Sequence, residues 1–463
     1  MVKFLWINAI NPLSEVESRY PNLGVGYLCA SLKQAFGEDA FNFKIVHSKI
    51  AEILDSFQPD IVGISAVSQN YGIAMSHATE AKRRGIQVLV GGVHISFLPY
   101  SLAPEMNVGC LGEGEETIVD LLRLFLECRS FPASKLAVIP GIVYRDQAGT
   151  LQCTATRPLR IDMDLIPLPD RKLLDITTHS YLFTSRGCPY RCSFCASSRF
   201  WNKVRFFSAE RVVSEVELLI NNHGVTFISF FDDLFVANKK RFFRIIELLE
   251  QKGIPGKVKF SCSLRANTVT EDVAAGLKRM GVVSVGMGLE SGNQRVLSWL
   301  KGAGITVEQN REAVRLLRKY GISPNASFVI GSPEETEQEI LDTFRFIQTV
   351  DLGLFDVYVL TPFPGTPVWE LAKSRGLVSE GAEMDWSKLN VNFEVEPQRA
   401  VILSNTLSRD DIIRLYKKFR FYRLRHNIRI IWHHPMRSDL PRYAFKLFRE
   451  KILQGKWKCQ RRL

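Results

Sequence analysis

The chain has 463 residues, 46% of them hydrophobic, enough to bury more than one core, and its formal charge of +12 is confined to one end. Residues 401–463 hold 17 Lys+Arg against 4 Asp+Glu while the first 400 hold 43 against 44, so the high overall charge gives no support to nucleic-acid binding by the body of the protein. No apolar run approaches the roughly 20 residues that span a bilayer, the first residues do not read as a signal peptide, and six of the nine cysteines are scattered without pairing logic, as suits a reducing cytoplasm.

Residues 3 to about 128 alternate short apolar runs with amphipathic segments. Residues 4–7, 43–46, 60–65, 87–92 and 108–111 read as buried strands, and 24–36, 49–57, 71–84 and 115–128 as helices between them. That pattern predicts an α/β fold whose first part, residues 1–130, is a doubly wound, flavodoxin-like sheet of five strands. Ligands of such sheets sit at the carboxyl ends of the strands. Those ends carry Ser65 and Ser68, then Gly91, Gly92 and His94, then Gly112, Glu113, Gly114 and Glu115.

Residues 131–178 read as a linker. Pro132, Pro140, Pro158, Pro167 and Pro169 forbid long helices, and Gly141 to Arg145 followed by Asp146 to Gly149 predicts a small hairpin.

Strand and helix alternate again over residues 179–395. Strands are expected at 181–185, 226–231, 257–262, 283–288, 325–330 and 356–360, which makes six βα units, two short of a closed (β/α)8 barrel. The first delivers Cys188, Cys192 and Cys195, spaced Cys-x3-Cys-x2-Cys. Three thiolates so close together can bind three irons of a four-iron four-sulfur cubane and leave the fourth open. A zinc knuckle would want a fourth Cys or His nearby, and His179 and His223 are distant in sequence.

This cysteine spacing resembles the signature of the radical S-adenosylmethionine (SAM) enzymes, in which the open iron chelates SAM and its cleavage yields a 5'-deoxyadenosyl radical. Phe194 resembles the family's aromatic residue beside the adenine. The strand ends match as well: Asp232 and Asp233 resemble the acidic turn near the methionine amino group, and Arg265 the polar group that meets the SAM carboxylate. Glu290 and Ser291 resemble the ribose-binding turn, and Gly331 the adenine-side strand. Taken singly, such turns serve as ordinary caps, and one of Asp232 and Asp233 has a second reading as cap of the helix beginning near Asn238.

The glycine turns of residues 1–130 resemble the cobalamin-binding domain that precedes the largest class of cobalamin-dependent radical SAM enzymes. The resemblance assigns Ser65, Ser68, Gly91, Gly92, His94, Gly112, Glu113 and Gly114 to cobalamin. No Asp-x-His-x-x-Gly is present, so no histidine is expected on cobalt from below. The remaining readings are a flavodoxin-like domain without its cofactor and, for His94, a hydrogen-bonded loop histidine.

What the resemblance implies is an enzyme with one 4Fe-4S cluster, SAM and cobalamin, fed by an electron donor such as flavodoxin or ferredoxin. It would methylate an unactivated carbon or phosphorus of a small-molecule or lipid-like substrate. One SAM methylates cobalamin and another supplies the radical that abstracts hydrogen. The alternatives are a ring-forming or rearranging radical enzyme of the same architecture, and a cobalamin-binding carrier or regulatory protein.

Residues 396–463 form a basic helical segment. In a helix over 409–431, Arg414, Lys418, Arg425 and Arg429 fall within roughly 60° of one another, opposite Ile412, Tyr416, Phe419 and Ile430. Such a stripe is either a solvated helix face or a contact for anionic lipid at the inner membrane face, or for a phosphorylated substrate; the cluster from Lys446 to Arg462, with Trp457, continues it.

Overall fold

The computed structural model describes residues 1–11, 22–381, 384–391, 393 and 396–431; the cluster from Lys446 to Arg462 and the side chain of Arg429 lie outside the described residues. The first sheet holds β1 (Val2–Ala9), β2 (Phe41–Val46), β3 (Ile61–Ala66), β4 (Gln87–Gly91) and β5 (Val108–Cys110), parallel in the order β2-β1-β3-β4-β5. These strands are apolar nearly throughout because helices cover both faces. Helix Glu115–Cys128 shows the local logic: Glu115 and Glu116 stand in its first turn, where carboxylates favour the positive end of the helix dipole, and Ile118, Leu121, Leu122 and Phe125 are buried.

The predicted hairpin forms as β6 (Ile142–Arg145) and β7 (Leu151–Cys153), but it is part of this sheet rather than a free linker. It pairs antiparallel with β5 and so satisfies the open backbone groups of that strand, extending the sheet to seven strands.

The second sheet has six parallel strands in chain order: β8 (His179–Leu182), β11 (Phe227–Phe230), β12 (Lys259–Leu264), β13 (Val282–Glu290), β14 (Ser323–Ile330) and β15 (Phe355–Val359). It does not close, as six units predict. The first strand ends earlier than expected, and the chain turns into a separate ribbon of β9 (Ser185–Arg186) and β10 (Arg205–Phe206). The break falls at Thr184, whose backbone N–H is taken by the Asp232 carboxylate at 2.6 Å instead of a neighbouring strand.

The halves share a core. Val90, Ile95 and Leu98 of the first sheet's layer belong to one buried apolar cluster with Trp369, Trp386 and Leu389 from the far end of the second half. Helix Arg409–Ile431 buries Ile412, Leu415, Tyr416 and Phe419 in the core of the second sheet.

Candidate active site

The ribbon β9-β10 closes a loop of residues 187–204 that carries all three motif cysteines. Gly187 has φ +94°, and a Cβ there would stand 2.8 Å from the Lys203 carbonyl oxygen, so only glycine lets the outgoing limb pass the returning one. Arg199 Nη1 donates to the carbonyls of Cys192 (3.0 Å) and Cys195 (2.7 Å), and Ser193 N–H donates to the Leu300 carbonyl at 2.8 Å. Cys188, Cys192 and Cys195 thereby line one cavity, which with its open mouth holds about 1200 Å³. Burial pushes the Cys188 thiol up to about 11, with Asp233 and the other two cysteines adding to the shift, and burial also raises Cys195. Among the described residues no three His, Cys, Asp or Glu side chains converge on a single ion. A cubane asks for less, since each thiolate takes a separate iron.

The same cavity receives Tyr190, Phe194, Asp233, Arg265, Glu290 and Lys301. The Arg265 guanidinium donates through Nη2 to the Lys301 carbonyl at 3.0 Å, while its Nε is buried without a partner. A buried N–H left open beside the cavity fits a carboxylate ligand. Glu290 sits at φ +60°, with its carboxyl 3.6 Å from the Lys301 ammonium and raised above the usual range by burial. Gly288 makes this possible, because a Cβ there would be 2.0 Å from Glu290 Oε1.

Three residues expected here stand elsewhere. Asp232 is buried at the base of the loop, accepting from Thr184 N–H and from the hydroxyls of Thr184 and Ser185. It caps no helix either, since Asn238 accepts from Arg241 N–H. Ser291 is fully buried and bonded to the Thr343 hydroxyl at 3.0 Å, which fastens its turn to helix Glu337–Thr349. Gly331 is not part of the cavity wall, its N–H donating to Glu335 Oε2 at 2.8 Å.

A second cavity of about 1240 Å³, open mouth included, lies at the carboxyl ends of β3, β4 and β5. Ser65, Gly91, Gly92, Gly112, Glu113 and Gly114 form its floor, and Tyr181, Phe183, Phe200 and Trp201 reach it from the other half. A Cβ on Gly91 would meet nothing nearer than Cys110 Cβ at 3.9 Å, and one on Gly112 nothing within 4 Å. Bare backbone facing apolar and aromatic walls fits a large, flat cofactor such as a corrin. Ser68 and His94 are absent from this wall. His94 is wholly buried, bridged by its ring nitrogens to Ser68 (3.1 Å) and Ser101 (3.0 Å) and stacked on Tyr71, as a core histidine.

A B12 binding domain profile matches residues 12–122, and a radical SAM superfamily profile matches residues 182–347. An uncharacterized methyltransferase of Pyrococcus horikoshii is 34% identical over 384 residues, covering 80% of this chain and 81% of that protein. The chain belongs to the cobalamin-dependent radical SAM enzymes. An anaerobic magnesium-protoporphyrin IX monomethyl ester cyclase of Cereibacter sphaeroides is 29% identical, covering 92% of this chain and 70% of its own. Among solved structures, the methyltransferase TsrM of Kitasatospora setae shares the fold at TM-score 0.64 and 19% identity, over 82% of this chain and 76% of that one.

As a cobalamin-dependent radical SAM enzyme the protein uses a 4Fe-4S cluster, SAM and cobalamin. Lys301 and Tyr190, which line the cysteine cavity, and Arg199, which braces its loop, carry no motif in the sequence. Lys301 ends helix Gln294–Lys301, where a lysine is ordinary on dipole grounds alone, so no local signal marks it.

Proposed function

We propose that this enzyme transfers a methyl group to an unactivated carbon, or to phosphorus, of a small-molecule or lipid-like substrate. The observation that carries the reading is one segment serving two cavities: Phe183, Phe200 and Trp201 wall the glycine-floored cavity, while Cys188, Cys192 and Cys195, between them in sequence, line the other. When bound, the cluster with SAM supplies a hydrogen-abstracting radical and cobalamin supplies the methyl group. The three cysteines hold the cluster. Arg265 offers its open Nε–H to the SAM carboxylate, Asp233 and Glu290 accept from its ammonium and hydroxyls, and Phe194 packs near its adenine. Gly91, Gly92, Gly112 and Gly114 bring bare backbone to the corrin. The aromatic walls exclude water, so that the reacting atoms of the two cavities meet in a protected space. The electron enters from a donor such as flavodoxin or ferredoxin.

Two finer readings go with this. The cyclase relative, alike over 92% of the chain, favours ring formation as the alternative outcome of the same radical chemistry. Peripheral contact with anionic lipid is supported by helix Arg409–Ile431, on which Phe421, Leu424 and Ile428 are more than half exposed and share an outward arc with Lys418 and Arg425. Among the described residues no helix is long and apolar enough to cross a membrane.

Anaerobically reconstituted protein incubated with methyl-labelled SAM, a reductant and candidate substrates tests the main reading. Label in the product, together with 5'-deoxyadenosine, is the expected result. Unlabelled product beside 5'-deoxyadenosine would favour the ring-forming alternative, and no 5'-deoxyadenosine at all would refute radical chemistry.

A further inference from the structure

One carboxylate crosses between the halves. Glu113, in the glycine turn after β5, accepts from three points on the loop that carries the cysteines: Arg186 Nη1 at 2.7 Å, Trp201 Nε1 at 3.0 Å, and Arg205 at 2.6 and 2.9 Å. Arg186 and Arg205 are register partners in β9-β10, at the two ends of that loop, and Trp201 lies within it. Arg186 also pairs with Glu115 and stands over the Tyr27 ring. All four charged side chains are nearly buried, with 4 to 13% of their surface exposed. The bonds hold the Glu113 carboxyl below its ordinary range although burial opposes them.

We propose that Glu113 is the positioning residue that sets the cysteine loop of one cavity against the floor of the other. Gly112 and Gly114, on either side of it, belong to the glycine floor, so pressure on that floor reaches both ends of the loop through this side chain, beside the direct contacts that Phe200 and Trp201 make as walls of the cavity and the Arg186–Glu115 pair. An exposed ion pair would serve poorly, because solvent and salt screen it. A buried carboxylate that accepts four hydrogen bonds from three residues has few other places to go. By linkage, a ligand that orders the turn orders the loop, and the reverse. The inference rests on cobalamin occupying the glycine-floored cavity only in its second arm.

The test is hydrogen exchange over residues 187–206 of the whole, cofactor-free protein, with helix Lys239–Gln251 as internal reference. The first arm compares wild type with Glu113→Gln. Exchange in the loop is expected to rise about ten-fold in the variant while the reference helix is unchanged. The second arm adds hydroxocobalamin, which should protect residues 187–195, the part of the loop away from the cavity wall, in wild type and not in the variant. Glu113→Asp, which keeps the charge but is one methylene shorter, should restore only part of the protection. Loop exchange equal in folded wild type and Gln variant would overturn the proposal. Failure of wild type to bind hydroxocobalamin would instead count against the assignment of the cavity, leaving the first arm to decide. Should Glu113→Gln not fold, Trp201→Phe removes one of the bonds without stranding a charge, and about three-fold faster loop exchange is then expected; no change would refute the role.

Discussion

The Arg265 guanidinium lies 4.1 Å from the centroid of the Tyr190 ring and donates through Nη1 to the Cys192 sulfur at 3.3 Å. A residue at the end of β12 is thereby locked to the cysteine loop before any ligand arrives, and its fork keeps one N–H spare. Arg265→Lys keeps the charge but loses the stacked, planar fork. The expected cost to SAM binding is about 2 kcal/mol, or some thirty-fold in Kd, with iron content unchanged. Titration of the reconstituted protein with SAM measures it, and an unaltered Kd would remove Arg265 from the binding set.

Replacing Cys188, Cys192 and Cys195 together with Ala should leave a folded protein without iron that makes no 5'-deoxyadenosine, because none of the three is fully buried. Iron and sulfide assays with chromatography of the SAM products give the answer. Retention of four irons by the triple variant would sink the cluster assignment.

Gly91→Val probes the corrin floor. Its Cβ meets no protein atom closer than 3.9 Å, so the side chain should displace cofactor rather than structure, lowering cobalamin affinity by at least about ten-fold with little change in Tm. Gly92→Val is the poorer probe. At φ +110°, with Ala66 O only 2.4 Å from a new Cβ, it should lower Tm before cobalamin is considered. Spectroscopic cobalamin titration beside thermal unfolding separates the two effects.

Burial lowers the His94 ring from its ordinary 6.5 to about 3. Between those values the unfolded chain binds a proton that the folded one refuses. The stability this ring permits is complete above pH 6.5 and falls as pH drops toward 3, by at most about 1.4 kcal/mol per pH unit. Glu335 acts oppositely: burial raises its carboxyl to about 7, and its contribution, full below 4.5, is lost as pH rises through 7. Urea unfolding between pH 7.5 and 4.5 should show a shallower acid loss in His94→Gln than in wild type; equal slopes would mean His94 does not titrate as a buried ring.

Arg414 is engaged with Glu337 at 2.7 Å, so reversing its charge would disturb helix docking rather than a free surface. The informative variant changes Phe421, Leu424 and Ile428 to Ser. Sedimentation with anionic vesicles at low salt is expected for wild type and should be lost in the variant, whereas neutral vesicles should bind neither. Equal sedimentation of the two proteins would reduce the arc to a solvated helix face.

Much of this was legible in the sequence because it depends on short-range pattern. Alternating apolar runs and helical periodicity placed eleven parallel strands within a few residues, and the cysteine spacing and the glycine turns picked out residues that line two cavities. Side-chain direction at a strand end is different, since adjacent residues there diverge and the turn decides which of them meets a cavity. Asp233 therefore faces the cysteines while Asp232 ties down Thr184, and Gly91 floors a cavity while His94, three residues on, is sealed in the core. Tertiary structure alone decided that the hairpin belongs to the first sheet and that Glu113 spends its carboxylate on Arg186, Trp201 and Arg205. Those partners lie 73 to 92 residues away, beyond the reach of any local pattern, and they meet only because two separately formed sheets pack against each other.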